Sequence, residues 1–281
     1  MHVLAVVNQK GGVGKTTTSV NLAASLAAMQ RRVLLIDLDA QGNATMGVGI
    51  DKATLDRSAF DVLIEDQAIA TAMTSTAIKN LSLLGANADL TGLELTLSER
   101  AGREGLLRRA LTQFKPAADI VLIDCPPALN LLTLNALVAA TGLLIPMQCE
   151  YYALEGLTAL LETKARVNES LNPGLEITGI LRTMVDMRNS LTRDVTAQLQ
   201  DYFGEKVFRT MIPRNVRLAE APSHGVPALD YDPQSVGAKA YLALAGELAR
   251  RLDHPIQAVG SQPSDAGLDD SEGSPDNVRS E

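Results

Sequence analysis

Short apolar runs alternate with longer stretches in which apolar residues recur every three or four positions, from residue 3 to about residue 252. The runs at 3–7, 32–36, 81–84, 120–123, 142–146, 178–184 and 206–208 predict strands. Residues 16–29, 103–114, 131–140, 154–171, 192–202 and 234–252 predict helices between and after them. In the last helix Val236, Tyr241, Leu244, Leu248 and Leu252 fall near one face, with Lys239, Arg250 and Arg251 off it. Strands alternating with helices are the signature of a doubly wound, mostly parallel sheet flanked by helices. The expected organisation is one α/β domain over 1–254, closed by Pro255, then a Ser/Asp/Gly/Pro-rich segment 255–281 too poor in apolar residues to fold. That segment is expected to be an acidic, disordered tail.

Composition narrows the class. At 281 residues, 46% hydrophobic and 21% charged, the chain suits a soluble globular protein of one large domain or two small ones. It contains no run of about 18 apolar residues and no basic-then-apolar leader, so neither a membrane helix nor secretion is expected. Cys125 and Cys149 are too few and too far apart for a disulfide framework, which fits a reducing cytoplasm. His2, His224 and His254 show no metal-ligand spacing. The net charge of −8 is uneven: 255–281 carries −5, leaving −3 for the rest. From Arg182 to Arg217 seven bases outnumber four acids, and a local excess of this kind matters more to a polyanion than the total.

The first predicted strand and helix enclose Asn8-Gln9-Lys10-Gly11-Gly12-Val13-Gly14-Lys15-Thr16-Thr17-Thr18. A glycine-rich turn there aims backbone N–H groups and a helix N-terminus at one point, the geometry an anion needs. Lys15 can reach β- and γ-phosphates, and the Thr16 hydroxyl can hold Mg²⁺. A bland glycine turn beside a solvated lysine would not require strand, glycines, Gly-Lys-Thr and helix in this order. The fold expected is therefore of the P-loop NTPase type, with residues Lys10, Gly11, Gly12, Val13, Gly14, Lys15, Thr16 and Thr17 at the phosphates.

Two further strands end in acids. Leu34-Leu35-Ile36-Asp37-Leu38-Asp39-Ala40-Gln41-Gly42-Asn43 places Asp37 and Asp39 at the edge where a ligand crevice lies in a parallel sheet. Such carboxylates can orient a water or hold a metal's water shell, or they can cap the next helix, a role more natural for Asp37 than for Asp39. Ile120-Val121-Leu122-Ile123-Asp124 ends in an acid able to hold a water on Mg²⁺, and Pro126-Pro127 then fixes a rigid turn. Later in the chain, Ile212-Pro213-Arg214-Asn215-Val216-Arg217 offers an amide with both donor and acceptor and a flat apolar ring. Asn215 is also a natural helix cap, and the two roles are compatible.

These segments resemble those of the ParA/MinD superfamily, in family order and over about residues 1–252. The ordinary phosphate loop has glycine where this chain has Gln9, and the extra lysine, Lys10, is similar to the first lysine of the deviant Walker A loop. In that family it reaches the partner subunit's nucleotide, where composition alone would make Lys10 a surface charge. The Asp37–Asn43 string is similar to the ParA/Soj switch, with Ala40 in place of the usual proline. The resemblance makes Asp39 the acid that positions the attacking water and Asp124 the Walker B acid. It gives Lys10, Lys15, Asp39 and Asp124 catalytic roles, puts Thr16 and Asp124 at the metal, and Pro213 and Asn215 at adenine. The family's DNA-binding arginines fall on Arg188 and Arg217, although either one alone reads equally as a solvated charge. The implied protein is an ATP- and Mg²⁺-dependent DNA-partitioning ATPase. It would dimerise on ATP, bind DNA without sequence preference, answer to a ParB-type centromere-binding partner, and reside in the cytoplasm on the nucleoid, with no membrane partner. Three alternatives share parts of this pattern. A MinD-like membrane-cycling ATPase needs a basic amphipathic C-terminal helix where this chain has an acidic tail. An iron–sulfur electron donor needs cysteines in settings that Cys125 and Cys149 do not match. An ATPase positioning another cargo would share every segment.

Overall fold

A computed structural model describes residues 1–97, 99–114, 118–150 and 153–254. The expected tail, 255–281, lies outside the described residues. Seven strands form one sheet: β1 (His2–Val6), β2 (Val33–Asp37), β3 (Thr74–Ser75), β4 (Leu81–Leu84), β5 (Ile120–Asp124), β6 (Gly142–Gln148) and β7 (Glu176–Thr183). Their order across the sheet is β3-β4-β2-β5-β1-β6-β7, and only β3 runs antiparallel.

Successive side chains of a strand point to opposite faces, and each face is covered by helices. On one face Val3, Ala5, Leu34, Ile36, Val121 and Ile123 pack against Leu107, Leu111, Leu132, Ala136, Leu157 and Leu160. On the other, Leu4, Val6, Leu35 and Leu122 meet Leu22 and Leu26 of the helix Lys15–Ala28 and Tyr241, Leu244 and Leu248 of the helix Val236–Asp253. Burial on both faces makes the central strands uniformly apolar rather than alternating. β2, β5 and β1 are aligned so that Asp37, Asp124 and Val6 lie side by side. From β1 the chain passes over the site of β5 to β2 and on to β3 at the sheet edge. It returns inward through β4 and β5, and then passes over β1 to build β6 and β7 on the other side. β1 is thus the switch point, where an α/β sheet opens a ligand crevice.

The main differences from the expected elements have local causes. Residues 206–208 form no strand: Val207 makes a single bridge to Ile180, and the chain then arches off the sheet edge. The expected helix 103–114 begins as a tight turn, Arg103–Gly105, before the helix Leu106–Gln113. Val236, expected on the apolar face, is the first helical residue and is exposed. The edge strand β3 and short helices such as Asn43–Gly47 and Val216–Glu220 are too brief to leave a periodic trace.

Candidate functional site

The loop after β1 is held by its own side chains and by β6 and β7. Asn8 Nδ2 donates to Pro146 O at 2.8 Å, and its Oδ1 accepts from Lys10 N at 3.0 Å. Thr183 Oγ1 donates to Val13 O at 2.8 Å. Gly12 (φ 76°) and Gly14 (φ 86°) take left-handed conformations that other residues adopt only with strain. Gly14 is the N-cap of the helix Lys15–Ala28, and no side chain caps that terminus. Its first N–H groups are left for a ligand, and the helix dipole favours an anion there.

Lys15 is the first helical residue and is buried, with Nζ donating to Lys10 O at 3.2 Å. Burial holds its ammonium below the ordinary value, while Asp124 and Asp39 pull it back up. Asp124 sits at the end of β5 with no solvent exposure, accepting from Thr16 Oγ1 at 2.8 Å and Ser19 Oγ at 2.7 Å. Asp37, its neighbour in register, is equally buried and accepts from Thr45 N and Thr45 Oγ1, both at 2.8 Å, and from Asp39 N at 3.0 Å. Burial, and for Asp124 next the charge of Asp37, raises both carboxyl groups above the usual range. The Asp124 carboxyl beside the Thr16 hydroxyl is a hard oxygen pair, which fits Mg²⁺. Asp37 is spent on the helix Asn43–Gly47, whereas Asp124 is bonded to Thr16, which is partly exposed in the first turn of the helix Lys15–Ala28. Asp39 is half-exposed; one oxygen accepts from Gln41 N at 2.9 Å.

A cleft of about 440 Å³ adjoins the loop, lined by Gly14, Thr17, Met184, Pro213 and Asn215 among others. The structure therefore brings Pro213 and Asn215 to the phosphate loop from about 200 residues further along the chain. Asn215 caps the helix Val216–Glu220, its Oδ1 accepting from Arg217 N at 3.1 Å. Met184 on the cleft wall holds φ 51°, a strained value for a side chain of its size. At the loop's other side Lys10 Nζ is paired with Glu150 Oε2 at 2.6 Å.

The arginines are placed differently. Arg188 is almost fully exposed and paired with Asp186 at 2.7 Å; Arg217 is paired with Glu220 at 2.7 Å and Asp232 at 3.3 Å. Neither lines the phosphate loop or the cleft. Cys125 and Cys149 are buried free thiols, so neither faces a surface on which two subunits could share a cluster. Sequence reasoning missed Ser19, Thr45, Thr183 and Glu150. Only Ser19 left a sequence signal: it lies three and four residues after Thr16 and Lys15, on the same helical face.

A parallel sheet with its phosphate loop at the switch point and an acid ending the adjacent strand defines a P-loop nucleotide hydrolase. Comparison with known proteins narrows the class. A family model described as an AAA domain matches residues 1–177. The chain is 51% identical over 247 residues to the sporulation initiation inhibitor protein Soj of Bacillus subtilis, covering 88% of this chain and 98% of that protein. It is 49% identical over 262 residues to the chromosome partitioning protein ParA of Caulobacter vibrioides, covering 92% and 98%. A solved structure of cobyrinic acid a,c-diamide synthase from Mycobacterium smegmatis with ADP and magnesium superposes with a TM-score of 0.79 at 39% identity, over 91% of this chain and 97% of that one. The chain belongs to the Soj/ParA family of ATPases, and its ligands are ATP and Mg²⁺. No helix among the described residues is long and apolar enough to cross a membrane.

Proposed function

We propose that this ATPase partitions DNA: two chains close around ATP, the closed dimer binds DNA without sequence preference, and a ParB-type partner triggers hydrolysis and release. The observation that carries this reading is Lys10. It stands at the head of the phosphate loop with its ammonium paired with Glu150 in an exposed contact that a second subunit's phosphate can displace. Gly11 and Gly12 beside it are exposed and leave room for another backbone. Residues 1–254 act as the ATPase unit and 255–281 as an appended acidic tail.

Within one chain Lys15 and the loop N–H groups bind the β- and γ-phosphates, and Thr16 with Asp124 holds the metal. Bound Mg²⁺ neutralises charge on the phosphates. Asp39 orients the attacking water through the carboxylate oxygen that Gln41 does not occupy, while Pro213 and Asn215 receive the adenine. ATP then serves as a switch, since only the closed dimer presents the basic faces of both chains together.

The test is Asp39→Ala. Removing the water-orienting carboxylate is expected to slow hydrolysis by about 10²-fold or more while ATP still binds. A dimer should then accumulate with ATP and Mg²⁺ on size-exclusion chromatography. A monomeric elution profile with ATP bound would overturn the dimer reading.

A further inference from the structure

Between Val207 and Ile212 the chain is a strap that meets the backbone of β7 only near its two ends, Phe208 N donating to Ile180 O and Ile212 N to Arg182 O, both at 2.9 Å, and that side chains hold in between. Arg251, on the last helix, donates to Thr178 O at 3.0 Å, Lys206 O at 3.2 Å and Val207 O at 3.1 Å. Its guanidinium also lies 4.0 Å from the centre of the Phe208 ring. That ring is buried where Gly179 has no side chain; a Cβ there would overlap it. Glu247, one helical turn before Arg251, accepts from Arg209 N and Thr210 N, both at 2.9 Å, and from Arg251 at 2.9 Å. From the sheet side, Arg182 donates to Phe208 O at 2.7 Å, and its own carbonyl accepts from Ile212 N at 2.9 Å. Its buried Nε has no partner among the described residues, so this guanidinium is committed to the strap alone.

The next residues, Pro213 to Asn215, line the cleft beside the phosphate loop. The Glu247–Arg251 pair is only about a tenth exposed, so its bonds are shielded from water and hold the strap in one place. We propose that Glu247 is a positioning residue for the nucleotide base: with Arg251 and Arg182 it fixes the strap, and so fixes Pro213 and Asn215 against the phosphate loop. It touches no ligand itself. The inference rests on the reading of Pro213 and Asn215 as the base-binding pair.

The test separates base from phosphate binding by titrating the full chain with Mg²⁺–ATP and with Mg²⁺–tripolyphosphate, which has no base. Glu247→Gln keeps one acceptor but turns an amide NH₂ toward a backbone N–H. Its Kd for ATP is expected to rise about ten-fold, equivalent to about 1.4 kcal/mol, with that for tripolyphosphate unchanged. Arg251→Lys keeps the charge but loses the fork, and should split the two ligands in the same direction. It is read in the same way if Glu247→Gln does not fold. An equal change in both ligands, or none in either, would overturn the proposal. Asn215→Ala distinguishes the two levels. If it leaves the ratio of the two affinities unchanged, the base-cleft reading fails and this inference with it. If it lowers that ratio while Glu247→Gln does not, only the positioning role fails.

Discussion

Lys10 Nζ lies 2.6 Å from Glu150 Oε2, tying the head of the phosphate loop to the chain just beyond β6. Both partners are more than a third exposed, so the pair contributes at most about 1 kcal/mol. A phosphate oxygen can displace that carboxylate readily. Lys10→Ala is therefore expected to change unfolding free energy by less than about 1 kcal/mol and to leave ATP binding intact, while ATP-dependent dimerisation is lost. Sedimentation velocity with and without ATP checks this; a normal ATP dimer in Lys10→Ala would remove the lysine from the interface.

The two hydroxyls on Asp124 are predicted to have different consequences. Ser19 is buried and bonds one carboxylate oxygen at 2.7 Å, whereas Thr16 is partly exposed and bonds the other at 2.8 Å. Ser19→Ala leaves a buried acceptor short of a donor and should destabilise the nucleotide-free protein by about 1–3 kcal/mol in urea unfolding. Thr16→Ala should instead lower Mg²⁺-dependent hydrolysis, with a smaller loss of stability. Equal stability losses together with equal hydrolysis rates would count against the division.

Gly11 separates folding from assembly. A Cβ added there meets nothing within 4 Å, and its φ lies outside the left-handed region. Gly11→Val should keep the melting temperature within about 2–4 °C of wild type and retain ATP, but should fail to dimerise because the side chain stands where a second loop approaches. A large drop in melting temperature would place the cause within the single chain.

The parallel sheet and its phosphate loop were legible because their signals are local: continuous apolar runs, and glycines at positions that only glycine fills without strain. Asp124 was legible as the acid ending one such run. Asp37 and Asp39 both read as ligand-facing acids, with helix capping the more natural alternative for Asp37, and the Thr45 contacts give Asp37 that capping role. Glu150 and Thr183 could not be read, since their partners Lys10 and Val13 lie 140 and 170 residues away. The strap at 206–208 was misread as a strand for a related reason. Its apolar Val207 and Phe208 are buried as a strand's would be, but beyond one bridge to Ile180 the carbonyls of 206–208 are taken by Arg251 and Arg182 in place of a continued ladder.

DNA binding is expected to depend on Arg188 and Arg217, and their ion pairs shape the test. Arg188 faces Asp186, and Arg217 faces Glu220 and Asp232, so each arginine must leave a carboxylate to take a phosphate. Exposed pairs of this kind are worth at most about 1 kcal/mol, and counterion release from DNA outweighs them at low salt. Arg188→Ala and Arg217→Ala are expected to keep ATP binding and the ATP-dependent dimer, because neither side chain lines the phosphate loop or the cleft. Each should weaken DNA binding, and each should flatten the plot of log affinity against log salt. A dimer carries two copies of every contact, so one substitution removes up to about two units of that slope, and ATP should strengthen binding far more than ADP. Arg217→Glu would add a third acid beside Glu220 and Asp232, so the alanine variants give the cleaner measurement. Fluorescence anisotropy on two unrelated duplexes across a salt series reads all of this. An unchanged salt slope in both alanine variants would move the DNA surface elsewhere. ATP-bound wild type that ignores DNA at low salt but binds anionic liposomes would overturn the DNA reading in favour of membrane cycling.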